Sequence, residues 1–459
     1  MSIIRTIAKR IGMDKSIAYS SGARIVQGFT GVASVFFITS FLTGVEQGFY
    51  YTFGSILALQ VFFELGLTGI MTQYVAHEVS HLTLNDQYMY EGEDRYKSRL
   101  ASLLRFCVKW YTVIASMVFI FLMVIGYIYF NKYGSVHEDV EWRAPWLLIC
   151  VGTAIKLFQA PLNSIFTGLG FVKEMSKASF YQQIILPTFT WLGLFCGLKL
   201  YVMGIGYILS VIYWQIFIYR SGLARVFLNL FRVNVTECVG YFKEIFPYQW
   251  RIALSWVSGY FIFQLFNPVL FATEGAVVAG QMGMTLQALT AIQAVPFSWL
   301  GTKIPLYSRL IALREYVQLD KIFNKTLIQM TSVSLSFLVI FYLILSILDY
   351  TEFSFHGEIL SHRFLHGIPL LLMLIPFYLQ QYTNSWATYL RCHKKEPFLW
   401  LSICGGIVIG PSTLYFGQHY GLMGIVLSYC ILQILFFPWG YYIFRNKRKK
   451  WHNINTINR

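Results

Sequence analysis

The chain has 459 residues, of which 56% are hydrophobic and 12% charged, and it carries a formal net charge of +15. Soluble domains carry roughly 25% charged residues, so half of the usual solvating surface is missing, which excludes a soluble globular fold. Aromatics reach 18%, as expected of a chain whose rings sit at lipid headgroups. The seven cysteines include no CxxC pair. Cys107, Cys150, Cys196, Cys404 and Cys430 fall in apolar runs, while Cys238 and Cys392 fall in basic connections, which is not the pattern of a disulfide framework. The first apolar run is too long for a signal-peptide core and lacks a small-residue cleavage site, so no cleavable signal is expected.

Residues 2–15 place Ile3, Ile4, Ile7 and Ile11 on one helical face, with Arg5, Lys9 and Arg10 around the rest. This predicts a short helix lying on a membrane surface. Apolar segments of spanning length follow at 17–43, 48–77, 107–130, 144–169, 177–198 and 202–219. Six more lie at 247–272, 276–302, 327–348, 364–390, 397–416 and 421–444. A spanning helix needs roughly 20 residues, so an all-α polytopic protein of twelve transmembrane helices is expected. Pro161, Pro187, Pro268, Pro296, Pro376 and Pro411 fall within these runs, which membrane helices tolerate when neighbours satisfy the freed backbone groups.

The distribution of basic residues tests this count. With a cytoplasmic N-terminus, the inside segments hold 29 of the 36 Lys and Arg residues. The outside loops hold Lys132, Arg143, Lys199 and Arg363, and Arg24, Lys156 and Arg251 lie within spans. Lysine and arginine concentrate on the cytoplasmic side of membrane proteins, so both termini are expected inside. The net charge then reads as topology and attraction to anionic lipid, not as nucleic-acid binding.

The chain also carries the marks of a duplication. GYILSVIYWQI (206–216) aligns with GIVLSYCILQI (424–434), and Asn163-Ser164 and Lys173-Glu174 are mirrored by Asn384-Ser385 and Lys395-Glu396. Arg24 and Glu46 likewise correspond to Arg251 and Glu274. Repeats with an even number of spans are parallel. The expectation is an N-terminal six-helix lobe over 1–220, a basic amphipathic cytoplasmic linker over 221–246, and a C-terminal six-helix lobe over 247–459.

Charges inside spans mark function by default. Lys156 and Glu64 each sit near mid-span and each costs about 2.5–3.5 kcal/mol on insertion scales, so neither should face lipid. They are read either as a buried pair holding one lobe together, or as a base on a hydrated cavity with an acid partner. Arg24 and Arg251 lie about 10 Å from the inner ends of their spans at 1.5 Å per residue. They either snorkel to the headgroups or act as paired forks for a phosphate or pyrophosphate. The amides of Gln60, Gln182, Gln183 and Gln287 are expected to glue helices together. Gln159, Asn163, Gln381 and Asn384, at helical spacings in equivalent spans, are candidate sugar contacts.

His77-Glu78-Val79-Ser80-His81 fits HExxH, in which two histidines hold zinc and the glutamate activates water. No clear third ligand follows, so the motif is expected to be a helix turn at the inner end of the second span. His356, His362 and His366 in an outer loop are likewise expected to be ordinary polar residues. The sequence has no GxxxxGK(S/T) loop. No cofactor is expected, and a proton or sodium gradient is the candidate energy source.

Twelve spans in two parallel repeats, joined by a linker and holding basic residues in the core, resemble the multidrug/oligosaccharidyl-lipid/polysaccharide exporter superfamily. The first two spans, above all from YYTF through FFELGL to His77-Glu78, look like those of bacterial O-antigen and capsular polysaccharide flippases. The resemblance implies a transporter, not an enzyme. Its work would be turning an undecaprenyl-pyrophosphate-linked oligosaccharide from the inner to the outer leaflet of the inner membrane as the lobes rock. It also implies a polysaccharide polymerase and glycosyltransferases as partners. The alternatives are a multidrug cation exporter of the same superfamily and a membrane zinc protease using His77, Glu78 and His81. Cationic drugs would favour a cavity rich in carboxylates, whereas here three bases meet one acid.

Overall fold

A computed structural model describes residues 15–64, 66–135, 139–240, 245–355, 358–393 and 395–457. The interfacial helix expected from residue 2 lies outside the described residues up to Lys15. α1 (Lys15–Phe41) is followed by α2 (Gly44–Leu57). The start of α2 is fixed by a reciprocal cap: the Thr43 N–H donates to Glu46 Oε2 at 2.9 Å and the Glu46 N–H donates to Thr43 Oγ1 at 3.2 Å. The second span is not one helix. A 3₁₀ turn at Ala58–Gln60, α3 (Val61–Glu64) and Gly66 with φ 67° interrupt it before α4 (Leu67–Val79).

A hairpin of β1 (Leu82–Leu84) and β2 (Tyr90–Gly92) leads into α5 (Asp94–Tyr133), α6 (Arg143–Gly168), α7 (Val172–Phe195) and α8 (Tyr201–Arg220). The linker contributes α9 (Leu223–Arg232), which buries Leu223, Val226 and Leu230. Its end is tied to α5, where Arg105 Nη2 donates to the Phe231 and Val233 carbonyls at 2.8 Å each. The Thr236 and Glu237 N–H groups donate to the buried Ser98 Oγ at 2.7 and 2.8 Å. α10 (Phe246–Phe263) and α11 (Phe266–Thr273) share the seventh span. Then come α12 (Ala276–Ala312), α13 (Tyr316–Tyr350), a short β3 (Ser354–Phe355)–β4 (Glu358–Ile359) ribbon and α14 (Gly367–Arg391). α15 (Leu399–Ile457) is two helices meeting at Gly421, where φ 58° and ψ −142° break the helical path. The Glu274 carboxylate caps the second half by accepting from the Leu422 N–H at 2.6 Å.

Counted across these interruptions, the described residues supply the twelve expected spans. Six helical stretches combine spanning length with high hydropathy among the described residues. α12 and α14 are not among them, because amides interrupt their apolar faces.

The chain packs as two compact units. One holds the residues up to Val26 and 56–257; the other holds 27–55 and 258 onward. This differs from the 1–220 and 247–459 lobes expected from the duplication. Residues 27–55 group with the second unit because α2 bonds to it. Gln47 Nε2 donates to the Gly280 carbonyl at 2.8 Å and to the Arg363 carbonyl at 2.9 Å, and Tyr51 Oη donates to Met284 Sδ at 3.1 Å. In the first unit α6 packs on α8, where a side chain at Gly204 would strike Leu148. In the second, Tyr307, Phe323, Tyr389 and Phe444 form an aromatic core joining α12 to α15.

Candidate functional site

In the first unit, Lys156 sits midway along the 26-residue α6 and its side chain is exposed. Its Nζ lies 4.6 Å from the centroid of the Tyr207 ring on α8, a cation–π contact that partly offsets the loss of water around an ammonium. Glu64 accepts from Thr68 Oγ1 at 2.7 Å. The structure therefore does not bring Lys156 and Glu64 into an ion pair. The amides one and two turns further along α6 are used in packing. Gln159 is buried and donates to the Val211 carbonyl at 3.3 Å, and Asn163 Oδ1 accepts the Trp214 indole N–H at 2.7 Å. Arg24 and Arg251 belong to α1 and α10, and their side chains lie outside the described residues.

The second unit holds a cavity of about 820 Å³ between α1, α2, α10, α11, α12 and α14. Gln381 and Asn384 both line it. So do Gln264, Asn267, Gln287, Gln293 and Gln380, together with Phe263, Phe297 and Phe377; no charged side chain is among the described lining residues. The amide N–H groups are largely committed to the wall. Asn267 donates to Ser55 Oγ at 3.1 Å, Gln287 to the Gly31 carbonyl at 3.1 Å and Gln381 to the Gln293 carbonyl at 3.3 Å, and Gln293 also donates to the Phe377 carbonyl. The carbonyl oxygens of Asn267 and Gln381 are buried without a partner. A buried acceptor left unmade costs about 1–3 kcal/mol, so this wall is short of hydrogen-bond donors. Rings and amides, with no charged side chain among the described lining residues, suit a ligand that is rich in hydroxyl groups.

Gln264, Asn267 and Gln293 escaped the sequence reading, which weighed charges within spans first. Their signal was available, since Gln264 and Asn267 stand three apart in an otherwise apolar run. Arg363, expected in an outer loop, has a buried side chain whose Nη1 donates to Gln47 Oε1 at 3.4 Å. In the HExxH segment, Glu78 is buried and its Oε1 accepts from Arg99 Nε at 3.0 Å, while His81 stacks on Tyr96. The glutamate is thus engaged in an ion pair, and no cluster of metal-ligating side chains occurs among the described residues.

No family model matches the chain. A stretch of 86 residues is 28% identical to a Salmonella typhi protein named as an O-antigen transporter, and it spans 18% of this chain and 20% of that protein. An inward-facing multidrug-resistance MATE transporter of the MOP superfamily superposes with a TM-score of 0.60 over 94% of both chains, at 14% identity. The lipid II flippase MurJ, in an inward closed conformation, superposes with a TM-score of 0.56 over 96% of this chain and 91% of its own, also at 14% identity. A MOP-superfamily transporter from Pyrococcus furiosus gives 0.52 over 94% and 96%. This chain has the MOP transporter fold. It is a multi-pass membrane protein, and the described residues that line the amide-rich cavity all belong to its second unit.

Proposed function

We propose that this chain is a flippase that turns an undecaprenyl-pyrophosphate-linked oligosaccharide from the inner to the outer leaflet of a bacterial inner membrane, for surface polysaccharide synthesis. The observation that carries this reading is the cavity of the second unit, whose described lining is of amides and phenyl rings with no charged side chain. Glycan hydroxyls would bond to the exposed Asn384 amide and the half-buried Gln380 amide, and sugar faces would pack on Phe263, Phe297 and Phe377. The pyrophosphate requires fixed positive charge, because an uncompensated ion is very costly in a low-dielectric core. Lys156, exposed at mid-helix, supplies one such charge, and Arg24 and Arg251 are its proposed companions nearer the inner mouth. The two lobes would rock to open the path alternately to each side, driven by a proton or sodium gradient, with both termini in the cytoplasm. A polymerase and glycosyltransferases would stand on either side of this step.

Export of cationic drugs is the competing reading, and a cavity with no carboxylate among its described lining residues gives a cation no counter-charge there. The test is to delete the gene in its native host and analyse the lipid-linked glycans of the inner leaflet. Accumulation of one undecaprenyl-pyrophosphate oligosaccharide, reversed by the wild-type gene, is the expected result. Normal surface glycan together with new sensitivity to lipophilic cations would replace the flippase reading with the exporter.

A further inference from the structure

The far end of α15 carries a dense basic run, Arg445-Asn446-Lys447-Arg448-Lys449-Lys450-Trp451, and it is held as a rigid arm. Tyr389 Oη donates to Asp320 Oδ1 at 2.5 Å. Asp320 Oδ2 lies 3.8 Å from Arg448 Nε and 3.7 Å from His452 Nδ1. The His452 ring stacks on Tyr316 with 4.3 Å between centroids. One face of the arm is thereby fixed to α13 and α14. Lys447, Lys450 and Trp451, spaced i, i+3 and i+4, share a different face. That face and the connection after α14 enclose a pocket of about 330 Å³, lined by Lys395, Glu396, Pro397, Lys447, Lys450 and Trp451.

The charge in this pocket is one-sided. The one acid among its described lining residues, Glu396, is already bound by Arg391, whose Nε and Nη2 donate to the carboxylate at 2.6 and 3.0 Å. Lys395 Nζ lies over the Trp451 ring, 5.1 Å from its centroid. Among the described residues, none of the three lysine ammoniums is paired with a carboxylate. Depth along the helix indicates what they face. The exposed rings of Tyr441 and Tyr442 mark the end of the apolar stretch, and Lys447 follows about 8–9 Å further on. Aromatic rings followed by lysines are the sequence of chemistries met on passing from acyl chains to headgroups. Basic pockets at the ends of membrane helices attract phosphate headgroups. The exposed Trp400, one turn beyond Pro397, continues an apolar wall along which acyl chains could lie.

We propose that this pocket holds the phosphate headgroup of an anionic phospholipid, which seats the end of α15 at the membrane surface. The site is separate from the cargo cavity and does not depend on what the protein moves. Each lysine near a membrane surface contributes about one kcal/mol of attraction to anionic lipid, which is about fivefold in affinity. The test uses the purified full chain, with phosphatidylglycerol, phosphatidylethanolamine and inorganic phosphate as probes. Bound lipid is counted by native mass spectrometry, and the melting temperature is measured alongside.

One phosphatidylglycerol retained in preference to phosphatidylethanolamine is expected. Lys395→Gln, Lys447→Gln and Lys450→Gln should each weaken it about fivefold, and the triple variant should abolish the preference without lowering the melting temperature in phosphatidylethanolamine. Arginine at the same three positions should preserve the preference, as should glutamine at the exposed Lys173, Lys321 and Lys325. Retention of the preference by the triple glutamine variant would overturn the proposal. So would an equal loss in the Lys173, Lys321 and Lys325 variant, or displacement of the lipid by millimolar inorganic phosphate, which would make the pocket a free-anion site.

Discussion

Asn163 and Asn384 occupy equivalent places in the two halves of the chain, yet they meet different fates. Asn163 receives the Trp214 indole N–H, and Gln159 one turn earlier donates to the Val211 carbonyl, so both amides of the first unit serve helix packing. In the second half, the alignment of 206–216 with 424–434 puts Leu432 at the place of Trp214. Leucine offers no N–H, and Asn384 is left exposed on the cavity wall. The reverse holds one turn and more before: Lys156 aligns with Phe377, and its ring partner Tyr207 aligns with Ile425. Under the duplication expected from the sequence, a base in the first unit thus corresponds to a phenyl ring in the second. On the proposed function, the two halves would divide between an electrostatic role and a hydrogen-bonding one.

The largest effect expected is at the charge. Lys156→Ala should slow glycan-lipid movement about a hundredfold, as removal of one member of a close charge pair does, while Lys156→Arg should retain part of the activity. Complementation of surface glycan, with membrane expression checked, reads this. Full activity in the alanine variant would remove the electrostatic half of the comparison. Next comes the exchange of partners. Leu432→Trp installs in the second unit the indole that engages Asn163 in the first, and transport should fall about tenfold, as loss of a cargo hydrogen bond allows.

The glutamines separate packing from cargo contact by stability. Gln159→Met removes a bond that is made within the fold and should cost about 1 kcal/mol. Gln381→Met loses the bond to the Gln293 carbonyl but also removes a buried carbonyl that has no partner, so it should cost less stability than Gln159→Met, while slowing transport. Equal destabilisation in both would mean that Gln381 is also packing glue.

The smallest effect is a pH dependence outside the spans. Burial holds the His393 imidazole below its ordinary value of 6.5. A depressed base is neutral in the fold and charged when unfolded, so its contribution is intact above pH 6.5 and is lost as the pH falls through the folded value. Thermal midpoints should drop on acidification below 6.5, and His393→Gln should flatten that part of the curve.

Helix positions were legible because twenty-residue apolar runs and the segregation of basic residues carry strong physical constraints. The face that the linker helix buries was less legible: Leu223, Val226 and Leu230 are buried, while the neighbouring Phe231 is exposed. The break at Gly421 was written in the sequence as a gap between two spans, but its cap by Glu274 was not, because the two are far apart in the chain. Glu78 shows a further limit. HExxH spacing places two histidines and an acid on one helix, whereas the fate of that acid is decided by Arg99 on the next helix. The cavity was half legible. Gln381 and Asn384 were found through the duplication, while Gln264, Asn267 and Gln293 have no counterpart that singled them out.

Whether the second unit's cavity handles glycan is decided by a transport measurement on the purified protein. Vesicles holding the purified full chain and a fluorescent undecaprenyl-pyrophosphate oligosaccharide report leaflet exchange directly. Wild-type protein should accelerate exchange, a double Gln381→Met/Asn384→Leu variant with an unchanged melting temperature should slow it about tenfold, and a lipophilic cation should not be carried. Exchange at the wild-type rate in the double variant, or efficient carriage of the cation, would contradict the central claim.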